Sequence, residues 1–184
     1  SYPAPQSPLQ RFVASTRMGF LPVFPEGVRE NVRANEAEAA CVSELIAAIV
    51  SLHAGEADFD AARRVGVIVP FRSQIACVRT ALRHSPLPAL AACADAMTID
   101  TVECYQGSQR DFILFSATVC LPYQLSLLSQ PQDVDGAQVA RKLNVAITRA
   151  REQFFLIGNP HLLRQSPVYA ALIDACLSYE PDPH

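Results

Sequence analysis

Hydrophobic positions recur along the chain at two periods, which predict alternating helices and strands. From Asn35 to about residue 53, apolar residues recur at the spacing of one helical face. These residues are Cys41, Val42, Leu45, Ile46, Ile49 and Val50. Asn35 is followed three residues later by Glu38, which matches a capping box that would satisfy free N–H groups in the first helical turn. A helix is therefore predicted to begin at this pair.

Short runs of β-branched and aromatic residues predict four strands. The run at 65–69 is apolar on both faces and ends at Pro70, as a buried parallel strand would. The other predicted elements are strands at 97–100, 112–117 and 154–157, and helices after Pro70, at 137–149 and after Pro160. Strands and helices that alternate in this way indicate an α/β fold, with a mainly parallel sheet covered on both faces.

Three segments depart from this pattern. Residues 1–30 are rich in proline and weakly periodic, so we predict an extended N-terminal arm or linker there. A single domain is expected over residues 31–180, followed by a short tail at 181–184. Residues 120–136 are predicted to form a long surface loop. With 184 residues, the chain suits one domain with its own core.

Composition narrows the class of protein. The chain is 50% hydrophobic and 18% charged, as globular domains are, and no apolar run approaches the ~20 residues that span a bilayer. Its net charge of −3 argues against a general basic coat for nucleic acid but allows a local groove. The six scattered cysteines have no metal-ligand spacing. They indicate small buried hydrophobes in a reducing, cytoplasmic compartment, and we predict no metal site and no membrane partner.

Two segments carry most of the candidate chemistry. Residues 101–111 read T-V-E-C-Y-Q-G-S-Q-R-D, and residues 141–151 read R-K-L-N-V-A-I-T-R-A-R. Taken alone, the first is a polar turn between strands, and the second is a helix whose C-terminal end is rich in cations that suit its dipole. Together, and in this order, they resemble motifs V and VI of superfamily 1 helicases, in the Upf1/Dna2-like branch.

The resemblance implies the second, C-terminal RecA-like domain of such a helicase, a three-layer α/β/α domain. It makes Arg149 the arginine finger, a permanently charged group that stabilises charge on a transferring phosphate. It assigns Gly107, Gln109 and Arg151 to ATP binding. Gln109 stands where the family has glutamate, so it can form hydrogen bonds but carries no charge.

A third segment, P-F-R-S-Q at 70–74, resembles the start of the first helix in the same domain of this family. Its polar groups and the helix N-terminus would suit a nucleic-acid phosphate, although the stretch is also an ordinary helix start. The residues expected to contact a single strand of DNA or RNA are Phe71, Arg72, Ser73, Gln74, Thr101 and Gln106. Phe71 and Tyr105 can stack on bases or pack in the core.

The chain has no P-loop of its own. Lys142 is its only lysine and follows Arg141, so a G-x-x-x-x-G-K-[ST] motif is absent. The resemblance therefore implies that a first RecA-like domain of the same polypeptide binds ATP and Mg²⁺, and that the isolated chain is inactive. Within the longer protein, an ATP-dependent helicase is expected. The alternatives are a degenerate, non-catalytic nucleic-acid or protein binding module, and an NTPase that moves no strand.

Overall fold

The computed structural model of the chain describes residues 3–24, 35–105, 108–118 and 137–181. The helices are α1 Pro8–Ser15, α2 Glu36–Leu52, α3 Ala61–Arg64, α4 Arg72–Arg83, α5 Pro88–Cys93, α6 Ala137–Thr148, α7 Pro160–Leu163 and α8 Pro167–Ala175. The strands are β1 Met18–Pro22, β2 Val65–Ile68, β3 Thr98–Asp100, β4 Arg110–Ser116, β5 Ala150–Gly158 and β6 Leu177–Ser178. A 3₁₀ turn covers Val102–Tyr105.

The six strands form one sheet in the order β3-β2-β4-β5-β1-β6, and each pair of neighbours is parallel. The sheet thus has two distinct edges across the strands: a carboxyl edge, where every strand ends, and an amino edge, where every strand begins. The four strands predicted from apolar runs are all present. The predicted α/β fold with a parallel sheet is confirmed.

Side chains alternate between the two faces of the sheet and build two cores. On one face, Val67, Leu114 and Phe155 pack with α1, α2, α4 and α5. On the other, Ile113 and Phe154 pack with α6, α7 and α8. The architecture is therefore the three-layer α/β/α sandwich that the sequence predicts.

The prediction of an extended arm over residues 1–30 is wrong for the part that folds into α1 and β1. Ser7 caps α1, its hydroxyl accepting from the Gln10 N–H at 3.1 Å, and Pro8 takes a first-turn position where no N–H is needed. Strand β1 lies between β5 and β6 inside the sheet. The domain therefore includes residues on the N-terminal side of the predicted boundary at residue 31.

Helix α2 begins at the predicted capping pair, but one of the two hydrogen bonds of a capping box is made with a different residue. The Asn35 side chain accepts the Glu38 N–H at 2.9 Å, as a capping box requires. The Asn35 N–H, however, donates to the Gln74 side chain at 2.7 Å and not to Glu38. The carboxylate of Glu38 is thereby left for other partners.

Helix α6 confirms the helix expected at 137–149. The loop expected at 120–136 lies outside the described residues.

The described cysteines are free thiols. Cys104 is exposed, so the prediction that the cysteines are buried is wrong for this residue. In the described part of the chain, no helix is long and apolar enough to cross a membrane.

Candidate functional site

The sheet separates the candidate residues into two groups on opposite edges. Strand β2 ends at Ile68 and leads through Val69 and Pro70 to Phe71, while β3 ends immediately before Thr101, so both residues lie at the carboxyl edge. Gln109 immediately precedes β4, and Arg149 immediately precedes β5, so both lie at the amino edge. Among the described residues, Phe71 and Thr101, predicted for nucleic acid, are thus on a different edge from Gln109 and Arg149, predicted for the nucleotide site.

At the amino edge, Arg149 is the first residue after α6. Its N–H donates to the carbonyls of Val145 and Ala146 at 3.2 Å each, and its carbonyl accepts the Arg110 N–H at 2.9 Å. Its side chain makes no hydrogen bond or ion pair among the described residues, and its Nε is buried without a partner. A buried N–H left unpaired is costly, and the Nε of Arg149 is one of three buried side-chain atoms in the described residues, with Arg110 Nε and Gln153 Oε1, that lack a hydrogen-bond partner.

Arg151 and Gln109 lie beside each other at the same edge. Arg151 Nε donates to Gln109 Oε1 at 3.4 Å, and Arg151 Nη1 lies 3.8 Å from Asp111 Oδ1. Arg151 is 61% exposed, so its guanidinium is accessible to a ligand at the edge. The structure brings Arg149, Arg151 and Gln109 to one edge, whereas Gly107 lies outside the described residues.

At the carboxyl edge, Arg72 and Ser73 are exposed in the first turn of α4. Phe71 is half-buried and packs against the core formed with α6, α7 and α8. The Thr101 N–H donates to Asp100 Oδ1 at 2.8 Å, which fixes the backbone where β3 ends. These groups combine a cation, hydroxyls and a helix N-terminus, all of which suit a phosphate. Gln106 lies outside the described residues.

Gln74 does not belong to this surface, and its prediction as a nucleic-acid contact is wrong. The residue is fully buried. Its Oε1 accepts the Asn35 N–H at 2.7 Å, and its Nε2 donates to the Asn35 carbonyl at 2.9 Å. Gln74 lies three residues after Phe71, nearly one helical turn, which directs it inward. Tyr105 is also a core residue, with its hydroxyl donating to the Thr98 carbonyl at 2.6 Å.

Sequence reasoning treated Glu38 only as part of a cap, but it is the centre of a buried polar cluster. Its carboxylate accepts from Ser116 Oγ at 2.8 Å, from the Thr118 N–H at 2.9 Å and from Asn35 Nδ2 at 3.0 Å. Burial raises the pKa of Glu38 to about 7, although the hydrogen bonds from Thr118 and Ser116 act to lower it. Its spacing from Val42 is the signal that could have revealed its burial, since both lie on one helical face.

No cluster of three or more His, Cys, Asp or Glu side chains that could hold a metal ion occurs among the described residues. At the amino edge, the exposed guanidinium of Arg151 is a cationic donor of the kind that binds phosphate groups. The carboxylates of Asp111 and Glu152 lie at the same edge.

Comparisons with known proteins place the chain among helicase-related domains. The family model AAA_12, described as an AAA domain, matches residues 22–161. The chain is 33% identical over 115 residues to helicase sen1 of Schizosaccharomyces pombe, covering 62% of this chain and 6% of that protein. It is 30% identical over 141 residues to a regulator of nonsense transcripts 1 homolog of Arabidopsis thaliana, covering 76% of this chain and 10% of that protein.

A solved structure has the same fold over nearly the whole chain. It is described as the C-terminal domain of a possible DNA helicase from Lactobacillus plantarum WCFS1, and it matches with a TM-score of 0.51 and 14% identity. The match covers 98% of this chain and 99% of that one. At this identity the likeness shows the fold alone. The chain spans only 6% and 10% of the two curated relatives above, so it corresponds to a small part of each.

Proposed function

The chain belongs to the family of AAA domains, in the Upf1-like group of superfamily 1 helicases, and from this premise we propose that it is the C-terminal RecA-like domain of an ATP-dependent helicase. In this proposal, a first RecA-like domain of the same polypeptide binds ATP and Mg²⁺. The amino edge of the present domain closes on that nucleotide. The carboxyl edge forms part of the groove for a single strand of DNA or RNA.

The observation that carries the proposal is the guanidinium of Arg149. It stands at the amino edge with a buried, unpartnered Nε, and no described carboxylate neutralises it. An arginine placed against a γ-phosphate stabilises the charge that develops on the equatorial oxygens during phosphoryl transfer, an effect of roughly 10³–10⁵ in rate. Arg149 is therefore assigned the role of finger, with Arg151, Gln109 and Gly107 contributing to nucleotide binding.

At the carboxyl edge, we assign strand binding to Phe71, Arg72, Ser73 and Thr101, and the resemblance adds Gln106 to this set. Arg72 and Ser73 are exposed where α4 presents its N-terminus. Phosphate contacts of this type position a strand without reading its sequence. The nucleic acid that stimulates the ATPase activity of the full-length protein distinguishes DNA from RNA.

The main alternative is a binding module that has lost catalysis. Gln109 favours it, because the family's carboxylate is replaced by a neutral amide at this position. An NTPase that moves no strand is the other alternative. A cytoplasmic location, predicted from cysteine usage, remains a prediction.

The test is the ATPase activity of the full-length protein with and without single-stranded DNA or RNA, for wild type, Arg149→Ala and Arg63→Ala. Arg63 is an exposed arginine that serves as the control. We expect stimulation of wild type by one of the two nucleic acids, and a fall of about a hundredfold or more in kcat for Arg149→Ala, equivalent to about 2.7 kcal/mol. Strand binding should be retained.

Other outcomes separate the alternatives. A wild-type protein that binds a single strand but shows no ATPase would establish the binding module. ATPase that neither nucleic acid stimulates would favour the NTPase that moves no strand. Full activity of Arg149→Ala would remove the finger from the proposal.

A further inference from the structure

Arg64 lies outside every segment that the family resemblance identifies, yet it occupies the centre of a charge cluster at the amino edge. It is the last residue of α3, directly before β2. Its Nε donates to Asp111 Oδ2 at 2.5 Å and its Nη1 to Glu56 Oε2 at 2.8 Å, while its Nη2 lies 3.7 Å from Glu152 Oε1. Its guanidinium also lies 4.7 Å from the centre of the Phe59 ring. This arginine is fixed from several directions.

The backbone of β5 is irregular at the point opposite this cluster. Arg110 pairs with Ala150 and Phe112 pairs with Gln153, so β5 has one more residue than β4 between these two pairs. Such a bulge re-aims the side chains of the strand that carries it. It allows two consecutive residues of β5, Arg151 and Glu152, to lie within 4 Å of the Arg64–Asp111 pair.

Asp111 is consequently shared between two arginines. Its Oδ2 is in contact with Arg64, whereas its Oδ1 lies 3.8 Å from Arg151. Asp111 is 17% exposed and Arg64 is 25% exposed, so the tighter of the two pairs is also the better shielded from water. The looser pair leaves Arg151 extended into solvent.

We propose that Arg64 is a positioning residue for nucleotide binding: by engaging Asp111, it keeps Arg151 available to the phosphates of ATP. This inference rests on the proposed function. Arg64 also neutralises part of the negative charge of Glu56, Asp111 and Glu152, which would otherwise repel a polyanion at this edge. Without Arg64, Asp111 closes onto Arg151, and ATP must then compete with a carboxylate for that guanidinium.

The test compares the KM for ATP of the full-length protein at saturating single-stranded nucleic acid. Arg64→Ala is expected to raise KM about fivefold, the size of effect that one partly exposed ion pair can have. Arg63→Ala, an exposed neighbour in the same short helix, is the matched control and should leave KM unchanged. An Arg64→Ala protein with the KM of the control would overturn the proposal.

The decisive variant is Arg64→Ala combined with Asp111→Asn. Asparagine cannot hold Arg151 by charge, so the double variant is expected to recover a KM close to that of wild type. A purely structural role of Arg64 predicts the reverse, since removing a second member of the cluster would add to the damage. A double variant that is no better than Arg64→Ala contradicts positioning through Asp111.

The outcome is readable even if Arg64→Ala folds poorly. Asp111→Asn alone releases Arg151, so its KM for ATP should equal or fall below that of wild type, and a higher KM would refute the inference. If the proposed function itself is wrong, the wild-type protein will show no ATPase activity that nucleic acid stimulates, or its ATPase activity will not depend on Arg149.

If only the role of Arg64 is wrong, Arg149→Ala will be inactive while Arg64→Ala has the same KM for ATP as Arg63→Ala.

Discussion

Replacing Glu38 with glutamine is expected to remove a pH dependence from the stability of this domain. Glu38 is fully buried, and its carboxylate is surrounded by the donors of Ser116, Thr118 and Asn35. Burial raises its pKa from the ordinary 4.5 to about 7. The folded domain therefore holds a proton on Glu38 in a pH range where the unfolded chain has already released it.

The sign and size of the effect follow from proton linkage. Because the folded state binds more protons than the unfolded state between about pH 4.5 and 7, the free energy of unfolding falls as pH rises through this window. A rise of the pKa from 4.5 to about 7 corresponds to about 3 kcal/mol, at 1.36 kcal/mol for each pKa unit. Most of this loss, about 2 to 3 kcal/mol, should occur between pH 5 and pH 8.

The assay is urea unfolding of the chain at several values of pH from 5 to 8, for wild type, Glu38→Gln and Glu44→Gln. Glu44 lies on the exposed side of the same helix and controls for the loss of one surface charge. The Glu38→Gln profile should lack the decline that wild type and Glu44→Gln share. Equal slopes for Glu38→Gln and wild type would refute the reasoning, because the decline would then belong to other groups.

Two further predictions concern packing and the nucleic-acid edge. A Cβ at Gly19 would lie 2.7 Å from Phe12 Cζ and 2.8 Å from Phe155 Cδ1, so Gly19→Ala should lower the free energy of unfolding by about 1–3 kcal/mol. Gly55→Ala, with nothing within 4 Å, should have little effect in the same urea experiment. Arg72→Ala should weaken single-strand binding by the full-length protein and reduce its salt slope by about 1. Gln74→Ala should instead destabilise the domain by about 1–3 kcal/mol, because Asn35 loses buried partners, and should leave the salt slope unchanged.

The sequence was most informative where strands are buried on both faces. β2 and the central parts of β4 and β5 are apolar runs, and the structure buries all three. β1 was missed because proline-rich flanks outweighed its short apolar run. Pro8 is compatible with the first turn of a helix and Pro22 with the last residue of a strand, so neither prevents the element it touches.

At the candidate site, the sequence identified individual residues but did not predict their burial or their contacts. The motif resemblance selected Arg149, Arg151 and Gln109, and the structure brings all three to one edge. The burial of Gln74 was not predictable, since it depends on Asn35, which is 39 residues away along the chain. Arg64 belongs to no pattern at all, because its partner Asp111 is 47 residues distant and meets it only through the order of the strands.

The short strand β3 brings the two edges of the sheet near each other. β3 has only three residues, a length of about 10 Å, so its carboxyl and amino ends lie close to each other. After Thr101, the 3₁₀ turn brings Tyr105 back to the Thr98 carbonyl at the start of β3.

On the other side of the 3₁₀ turn, just before β4, Arg110 holds Ser108 and Gln109. Its Nη1 donates to Ser108 Oγ at 2.8 Å and to the Gln109 carbonyl at 2.9 Å, while its Nη2 donates to Thr98 Oγ1 at 3.2 Å. Tyr105 on one side of this segment, and Ser108 and Gln109 on the other, are thus both held at Thr98, the latter two through Arg110. In the proposed function, a shift of β3 on binding of a strand would therefore reach both Thr101 and Gln109.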